Sequence, residues 1–236
     1  MSDAVLMPVY NEVGSVAFVL DAVRAHYDGE VLVVDDGSTD GTGAVLASRS
    51  DVTVVTHPTN AGYGRALAEG MAIARARGVS KLVTMDCDGQ HEPRHIRQFL
   101  VALDGGADIV SGSRYLPDSR SVGAAPESRR EINERVTDEI NRVTGWALTD
   151  AFCGFKAYRL ASLDDIRLEE PGYAMPLELW AKAYRKGLVV QELAVERIYY
   201  DHDRSFGQDL DDPEARFGYY MRVWKRALAS EDAWPT

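Results

Sequence analysis

Residues 30–42 read EVLVVDDGSTDGT, a β-branched run that ends in two acids and a turn. A continuous apolar run bounded by turn-forming residues predicts a buried β-strand, with Asp40 as the N-cap of the helix that follows. Polar groups at the carboxyl end of such a strand face the crevice where ligands bind in α/β sheets. We therefore expect one of Asp35 and Asp36 to accept hydrogen bonds from a ribose or a base, and the other to hold the turn. The alternative is that one of them merely caps the next helix.

Four further apolar runs in the first half of the chain have the same character. They are VLMPVY at 5–10, DVTVVTH at 51–57, KLVTMD at 81–86 and ADIVSGS at 107–113. Segments of helical period separate them, with stripes formed by Val16, Leu20, Val23 and Tyr27 and by Ile96, Phe99, Leu100 and Leu103. This alternation predicts an α/β fold in which helices cover a mainly parallel sheet.

The second half of the chain, 116–236, is less regular than the first half, 1–115. The predicted elements are a polar loop at 116–128, a helix with Ile132, Val136, Ile140 and Val143 on one stripe, a strand at 154–160, a helix at 174–186 and a strand at 188–195. A last helix carries Phe217, Met221, Trp224 and Leu228 at helical spacing. Its flanks are not especially basic, which favours core packing over a membrane anchor. No linker or internal repeat separates the halves, so a single domain over 1–236 is expected.

The composition limits the class of protein. Of the 236 residues 45% are hydrophobic and the formal net charge is −11, which indicates a packed core and argues against binding to nucleic acid. Cys87 and Cys153 form no CxxC pair, so a reducing compartment is the simpler interpretation. The first residues, Met1-Ser2-Asp3, show no basic n-region, and no apolar stretch approaches the roughly 18 residues of a spanning helix. A cytoplasmic protein is expected, with peripheral contact at the inner membrane face left open.

A second acidic strand end occurs in MDCDGQH at 85–91. Asp86 and Asp88 are two residues apart, so in an extended chain both carboxylates project to one side, and Gln90 adds a neutral oxygen at the same spacing. Hard oxygen ligands select Mg²⁺ or Mn²⁺ and leave positions open for phosphate oxygens. An ordinary acidic turn is the alternative, but the place at a strand end beside another acidic strand end favours the metal site. His57 and His91 flank the same crevice and receive no role.

The loop after the third strand, within HPTNAGYGRALAEG at 57–70, places Asn60, Gly62 and Gly64 ahead of a helix of small residues. Glycines permit close approach of the backbone to a ligand. The sequence matches neither the GxGxxG fingerprint of dinucleotide-binding folds nor the phosphate-binding loop that ends in Gly-Lys-Ser/Thr. Nicotinamide and ATP chemistry therefore lack their usual sequence support.

Six short motifs follow one another along the chain. They are Pro-x-Tyr-Asn-Glu at 8–12, VVDDGSTDGT at 33–42, the Asn-x-Gly-x-Gly loop at 60–64, DCDGQH at 86–91, SGSRY at 111–115 and DAFCGF at 150–155. In this order they resemble the inverting family-2 glycosyltransferases, and the branch they resemble most is that of the dolichyl-phosphate mannose synthases and polyprenyl-phosphate sugar transferases. The resemblance covers about residues 3–195, and six ordered motifs are far more specific than any one of them.

The resemblance implies a GT-A fold, which is a Rossmann-like three-layer sandwich, and a nucleotide-diphosphate sugar donor that is GDP- or UDP-linked. Carried over by position, the nucleotide contacts are Pro8, Tyr10, Glu12, Val34, Asp35, Asp36 and Asp86. The implied ligands of Mg²⁺ or Mn²⁺ are Asp86, Asp88 and Gln90, and Asp88 counts as catalytic. A cation at this place stabilises the negative charge that builds up on the departing diphosphate.

In the same branch, an arginine of the Ser-Arg-Tyr motif and further arginines hold the acceptor phosphate. This implies Arg114, also counted as catalytic, together with Arg129 and, in the tail, Arg204. The guanidinium fork suits phosphate. Arg130 is an equally available neighbour of Arg129, and a solvated helix terminus is the alternative for both. The implied acceptor is phosphorylated, for example a polyprenyl phosphate at a membrane surface.

An inverting transfer to a hydroxyl needs a general base, and many family-2 enzymes take it from an acidic pair ahead of a helix that ends in glycine. Counted back from Gly187, that pair falls on Met175 and Pro176, and neither is acidic. A phosphate acceptor is already an anion, so the missing base favours it. Two alternatives stay open: a hydroxyl acceptor with Glu178 or Asp150 as the base, and a non-catalytic nucleotide-sugar-binding module.

The acidic segment DHDRSFGQDLDDPE at 201–214 departs from the family pattern, where a Gly-x-Ser-Lys sequence is typical. It is interpreted either as a loop that orders over the donor or as a solvated connection to the last helix. A nucleotidyltransferase is disfavoured because no glycine-rich basic loop follows the first strand.

Overall fold

A computed structural model describes residues 2–123, 127–198 and 210–230. The strands are β1 (Ser2–Val9), β2 (Glu30–Asp35), β3 (Thr53–Thr56), β4 (Val79–Thr84), β5 (Ile109–Ser113), β6 (Ser121–Val122), β7 (Lys156–Arg159), β8 (Val190–Ala194) and β9 (Arg197–Ile198). The helices are α1 (Val16–Arg24), α2 (Thr42–Ala47), α3 (Tyr63–Ala76), α4 (Ile96–Asp104), α5 (Glu127–Thr144), α6 (Met175–Arg185) and α7 (Pro213–Ala229). Short 3₁₀ helices occur at Pro93–His95 and Leu160–Leu163.

Seven strands form one sheet in the order β3-β2-β1-β4-β7-β5-β8. Neighbours run parallel except β7, which is antiparallel to both β4 and β5. Two successive reversals restore the direction, so β5 and β8 point the same way as β1 to β4. The carboxyl ends of six strands therefore lie at one edge, which we call the crevice edge. The mainly parallel sheet confirms the prediction, whereas the antiparallel direction of β7 was not apparent from the sequence.

Helices cover both faces of this sheet. Along the parallel strands, side chains alternate between two cores: Leu6 and Leu32 belong to one, and Val5 and Val33 belong to the other. Helices α3, α5, α6 and α7 pack on the first core, and α1, α2 and α4 pack on the second. The protein is thus a three-layer α/β sandwich, as expected.

Two details of the second half differ from the sequence prediction. Strands β6 and β9 form a separate two-stranded sheet, and β6 lies inside the predicted polar loop at 116–128. Two-residue strands carry no periodic signal in a sequence. The last helix packs in the core as expected, with Trp224 fully buried, but its buried face is rotated from the predicted stripe. That face comprises Tyr220, Val223, Trp224 and Ala227, and Phe217, Met221 and Leu228 lie partly buried beside it.

Cys87 and Cys153 are both buried. Across the three described ranges, no helix combines the length and the apolar character that a bilayer span requires.

Candidate active site at the crevice edge

Asp35 is the last residue of β2 and Asp36 follows it. Both side chains point inward and accept hydrogen bonds from backbone N–H groups. Asp35 Oδ1 accepts the Ser38 N–H at 3.0 Å, which closes the turn that was predicted to follow the two acids. Asp36 reaches across to the loop after β3, where its oxygens accept the N–H groups of Ala61 and Gly62, each at 2.8 Å. Both side chains are almost completely buried. Direct contact of either acid with a nucleotide stays a prediction. The contacts described here fix the turn after β2 and the loop after β3, which together form one wall of the crevice.

His57 locks the same loop from the other side. Its Nδ1 lies 2.6 Å from Asp36 Oδ1, and its Nε2 lies 3.1 Å from Glu69 Oε2 on α3. Gly62 has φ +104°, and a Cβ there would collide with Pro171, so only glycine fits this turn. His57 received no role from the sequence, and its position between two carboxylates makes it part of the crevice wall.

The predicted nucleotide contacts on β1 and β2 differ in accessibility. Pro8 and Val34 are buried inside the sheet, so a ligand would meet their backbone and not their side chains. Tyr10 is 44% exposed at the crevice edge. Glu12 follows it, and the Glu12 N–H donates to Thr42 Oγ1 at 2.8 Å, which ties this segment to the start of α2.

The predicted metal ligands follow β4 at the same edge. Asp86 Oδ1 accepts the Tyr63 hydroxyl at 3.0 Å, and Asp86 Oδ2 lies 3.2 Å from His91 Nε2. The Asp86 side chain keeps 29% of its surface exposed. Asp88 Oδ1 accepts the Gln90 N–H at 3.0 Å, so Asp88 and Gln90 form a tight turn directly after Asp86.

Gly154 lies against Asp86 and leaves the space that its carboxylate occupies. A Cβ on Gly154 would lie 2.7 Å from Asp86 Cγ, well inside van der Waals contact. Two carboxylates and an amide oxygen are hard donors that fit Mg²⁺ or Mn²⁺. Within the described residues, no three His, Cys, Asp or Glu side chains cluster as a complete metal site. A cation held by Asp86, Asp88 and Gln90 would therefore have to take its remaining ligands from phosphate oxygens and water.

Arg114 directly follows β5, and its side chain is held by the buried carboxylate of Asp150. Its Nε donates to Asp150 Oδ2 at 2.6 Å, its Nη2 donates to Asp150 Oδ1 at 2.9 Å, and its backbone N–H donates to the same group at 3.2 Å. Asn133 Nδ2 donates to Asp150 Oδ1 at 3.0 Å. Burial alone would raise the pKa of Asp150, but the Arg114 guanidinium outweighs it and holds that pKa below its usual range. Asp150 is an ionised anchor for Arg114.

The two candidate bases are both buried and fully engaged. Asp150 is inaccessible to solvent and is occupied by Arg114 and Asn133. Glu178 Oε2 accepts the N–H groups of Glu169 and Glu170 at 2.9 and 2.8 Å, and its Oε1 lies 2.9 Å from Lys182 Nζ. A general base must reach the proton that it removes. These contacts favour structural roles for both acids, and the role of base stays an untested prediction.

The other predicted phosphate arginines lie at the start of α5 or beyond the described residues. Arg129 is half-buried, and Arg130 is exposed. Burial lowers the pKa of Arg216 on α7, and the charge of Arg129 lowers it further, so Arg129 lies near α7. Arg204 belongs to the residues that the structure does not describe, as does most of the acidic segment at 201–214.

Residues 4–167 match the sequence profile of Glycosyl transferase family 2. The chain belongs to this family. It is 34% identical over 200 residues to the polyprenol monophosphomannose synthase of Mycolicibacterium smegmatis, covering 81% of this chain and 75% of that protein. It is also 34% identical over 198 residues to the undecaprenyl-phosphate mannosyltransferase of Micrococcus luteus, covering 80% and 81% of the two chains. These matches confirm the predicted family and its polyprenyl-phosphate branch.

A solved structure shares the fold of this family-2 glycosyltransferase. Glucosyl-3-phosphoglycerate synthase from Mycobacterium tuberculosis, in complex with Mn²⁺ and uridine-diphosphate-glucose, superposes with a TM-score of 0.74 at 21% identity. The match covers 98% of this chain and 80% of that one. The predicted GT-A fold is confirmed.

The sequence predicted no role for Arg197 or Glu192, and the structure places both beside the candidate site of this glycosyltransferase. Tyr115 lies next to both Arg114 and Arg197, whose guanidinium carbons are 5.9 and 5.5 Å from its ring centroid. Arg197 Nε is buried and has no hydrogen-bond partner among the described residues. Glu192 on β8 holds the loop at 149–150. The pairing of β8 with β5 brings Glu192 to this region, and the pairing of β9 with β6 brings Arg197 there.

Proposed function

We propose that this glycosyltransferase moves a hexosyl group, with inversion, from a nucleoside-diphosphate sugar to a polyprenyl phosphate, with the help of a divalent cation. The donor is GDP- or UDP-linked. The observation that carries the proposal is the 34% identity, over about four-fifths of the chain, with two enzymes named for mannosyl transfer to polyprenol or undecaprenyl phosphate. The crevice edge supports it through the acids after β4 and the anchored arginine after β5.

Asp86, Asp88 and Gln90 are the residues that would hold the cation. Bound Mg²⁺ or Mn²⁺ would neutralise the diphosphate as it departs. The protein's own contribution is to fix the position of the ligands: Tyr63 orients Asp86, Gly154 leaves room for its carboxylate, and the turn at Asp88 presents the second acid. The exposed surface of Asp86 leaves it accessible to a ligand in the crevice.

The buried state of the acidic candidates supports a phosphate acceptor. Asp150 and Glu178 are both occupied by cationic and N–H donors, so neither is placed to deprotonate a hydroxyl. A phosphate oxygen needs no deprotonation before it attacks the anomeric carbon. Arg114 is rigidly oriented by Asp150, as a phosphate-binding arginine must be. A lipid acceptor would also bring the enzyme to the inner membrane face as a peripheral protein.

Transfer assays test the proposal. The purified protein is incubated with Mn²⁺ or Mg²⁺, with GDP-mannose, UDP-glucose or UDP-N-acetylglucosamine, and with farnesyl phosphate in detergent. We expect chelator-sensitive formation of a sugar phosphodiester with one of the donors. Formation of a glycoside on a soluble hydroxyl acceptor, with none on farnesyl phosphate, would establish the hydroxyl alternative instead. Binding of a nucleotide sugar without transfer to any acceptor would favour the non-catalytic nucleotide-sugar-binding module.

The metal role is tested by Asp88→Asn with Asp138→Asn as the matched control, because Asp138 is an exposed acid on α5 far along the chain from the crevice motifs. We expect Asp88→Asn to abolish the Mn²⁺-dependent thermal stabilisation by nucleoside diphosphate and to reduce transfer at least about a hundredfold. Asp138→Asn should match the wild type. Normal metal-dependent transfer by Asp88→Asn would remove Asp88 from the site.

A further inference from the structure

The Ser113–Tyr115 segment is fixed at each of its three residues by polar contacts. Arg114 donates three hydrogen bonds to Asp150. The Tyr115 N–H donates to Ser113 Oγ at 3.1 Å, and Ser113 Oγ lies 2.5 Å from Thr149 Oγ1. The segment that carries the proposed phosphate-binding arginine is therefore held by the loop at 149–150.

Glu192 on β8 holds that loop in turn. Its carboxylate accepts the Thr149 N–H at 2.9–3.0 Å, the Thr149 hydroxyl at 2.8 Å and the Asp150 N–H at 3.0 Å. Because the Thr149 hydroxyl proton goes to Glu192, the hydrogen bond between the two hydroxyls must be donated by Ser113. A single carboxylate thus sets the direction of the hydroxyl chain and the position of the Asp150 backbone.

Strand order explains why Glu192 can act on Arg114. β8 pairs in parallel with β5, and Glu192 lies opposite Ser111, two residues before the end of β5. Asp150 belongs to the loop that enters β7, which pairs with β5 on its other side. Glu192 therefore approaches the end of β5 from the β8 side, and Asp150 approaches it from the β7 side. Arg114, which follows β5, lies between them.

Glu192 is partly buried, and this environment disfavours the ionised form of its carboxylate. Burial raises its pKa above the usual range for glutamate, the hydrogen bonds from Thr149 and Asp150 oppose that rise, and the negative charge of Asp150 adds to it. The folded protein thus holds the ionised form at a cost relative to water. Asp150, whose negative charge raises the pKa of Glu192, is itself paired with Arg114.

We propose that Glu192 is a positioning residue for acceptor binding: by holding Thr149 and Asp150 it fixes the guanidinium of Arg114 for the phosphate of the acceptor. The inference rests on the proposed function, because that function supplies the phosphorylated acceptor. It assigns Glu192 no contact with either substrate. Its action passes through the loop at 149–150 alone, so it affects the acceptor and leaves the donor site unchanged.

Two substitutions probe the network at different points. Glu192→Gln keeps the shape of the side chain but removes one acceptor oxygen, and Thr149→Val removes the hydroxyl link while it keeps the Thr149 N–H. Glu196→Gln is the matched control: Glu196 contacts His95 and Arg94 and does not touch the loop. The measurements are binding of farnesyl phosphate by calorimetry in the presence of nucleoside diphosphate and Mn²⁺, steady-state kcat and KM for both substrates, and thermal melting.

Both network variants should raise the KM and the dissociation constant for farnesyl phosphate about tenfold, with donor KM and melting temperature close to the wild type. Glu192→Asp, which restores the charge, should recover part of the loss, and Glu196→Gln should lose nothing. Unchanged acceptor binding in Glu192→Gln overturns the inference, as does an equal loss of donor binding. If the wild type does not bind farnesyl phosphate, the proposed polyprenyl-phosphate acceptor is wrong, and the inference about Glu192 is wrong with it. Binding without transfer leaves the Glu192 test intact and contradicts only the proposed chemistry.

Discussion

Asp150→Asn gives a direct measure of how strongly the fold depends on the Arg114 anchor. Asp150 has no solvent exposure, and the Arg114 side chain is only 17% exposed. Replacing the carboxylate by an amide leaves the Arg114 cation without its counter-charge and turns one acceptor oxygen into a donor that faces other donors. Breaking one partner of a buried ion pair costs about 3–5 kcal/mol. We expect a loss of that size in the free energy of unfolding.

Urea unfolding measures this loss. With a slope of about 3 kcal/mol per molar urea, the midpoint should fall by about 1–2 M. The double variant Arg114→Met/Asp150→Asn should be at least about 1 kcal/mol more stable than the sum of the single effects predicts, because the two charges are removed together. A loss below about 1 kcal/mol in Asp150→Asn, or additive single effects, would refute the anchoring role.

The pH dependence of the same pair has a definite sign. The pKa of Asp150 in the folded protein is below its usual range, so the unfolded chain binds a proton more readily than the folded chain does. The pair therefore stabilises the fold fully above the unfolded pKa, near about 4, and the stabilisation is lost as the pH falls through the folded pKa. The stability difference between wild type and Asp150→Asn should be constant from pH 8 to pH 5 and should shrink below about pH 4. A difference that already shrinks at pH 6 would contradict this assignment.

Three further substitutions test other parts of the crevice edge. Gly154→Ala places a methyl group against Asp86 and should weaken Mn²⁺-dependent binding of nucleoside diphosphate about tenfold. Gly218→Ala is its control, because neither glycine has a positive φ and the added Cβ at Gly218 would lie at an ordinary 3.5 Å from Arg222 Nη1. His57→Ala removes the contact that locks Asp36 and should raise donor KM several-fold with little change in acceptor KM, as steady-state assays with each substrate varied will show. Arg197→Ala should raise acceptor KM about tenfold and leave donor KM unchanged; the exposed Arg222→Ala is its control, and equal effects of the two would exclude Arg197 from the site.

The layered fold was predictable because its signals are local. The apolar run EVLVVDD becomes β2, and the stripe of Ile96, Phe99 and Leu103 becomes the buried face of α4. The direction of a strand is not local. The segment at 154–160 forms a strand as predicted, but nothing in Lys156–Arg159 distinguishes an antiparallel strand from a parallel one. Direction follows from how the chain crosses the sheet, which depends on residues far from the strand.

The candidate site was predictable where a motif carries it and not where partners converge from distant segments. Asp86, Asp88 and Arg114 belong to motifs and lie at the crevice edge as expected. Their supports come from distant segments: Asp150 opens the DAFCGF motif but is 36 residues from Arg114, and Glu192 is 43 residues from Thr149. For Asp35 and Asp36 the sequence predicts one acid that holds the turn and one that faces the ligand. Asp35 accepts the Ser38 N–H of the turn and Asp36 accepts the Ala61 N–H, and contact with a nucleotide stays a prediction.

The pairing of Arg114 with Asp150 changes how the acceptor end of the crevice must work. Arg114 brings fixed donors but little net charge, because a buried carboxylate neutralises it. Arg197 lies over the same tyrosine, and within the described residues its guanidinium donates to Ser121 Oγ and meets no carboxylate. Attraction of a phosphate over a distance depends on net charge, whereas its final orientation depends on fixed hydrogen-bond donors. If the acceptor is a phosphate, we expect Arg197 to supply the attraction and Arg114 the orientation, so lysine should substitute for Arg197 far better than for Arg114.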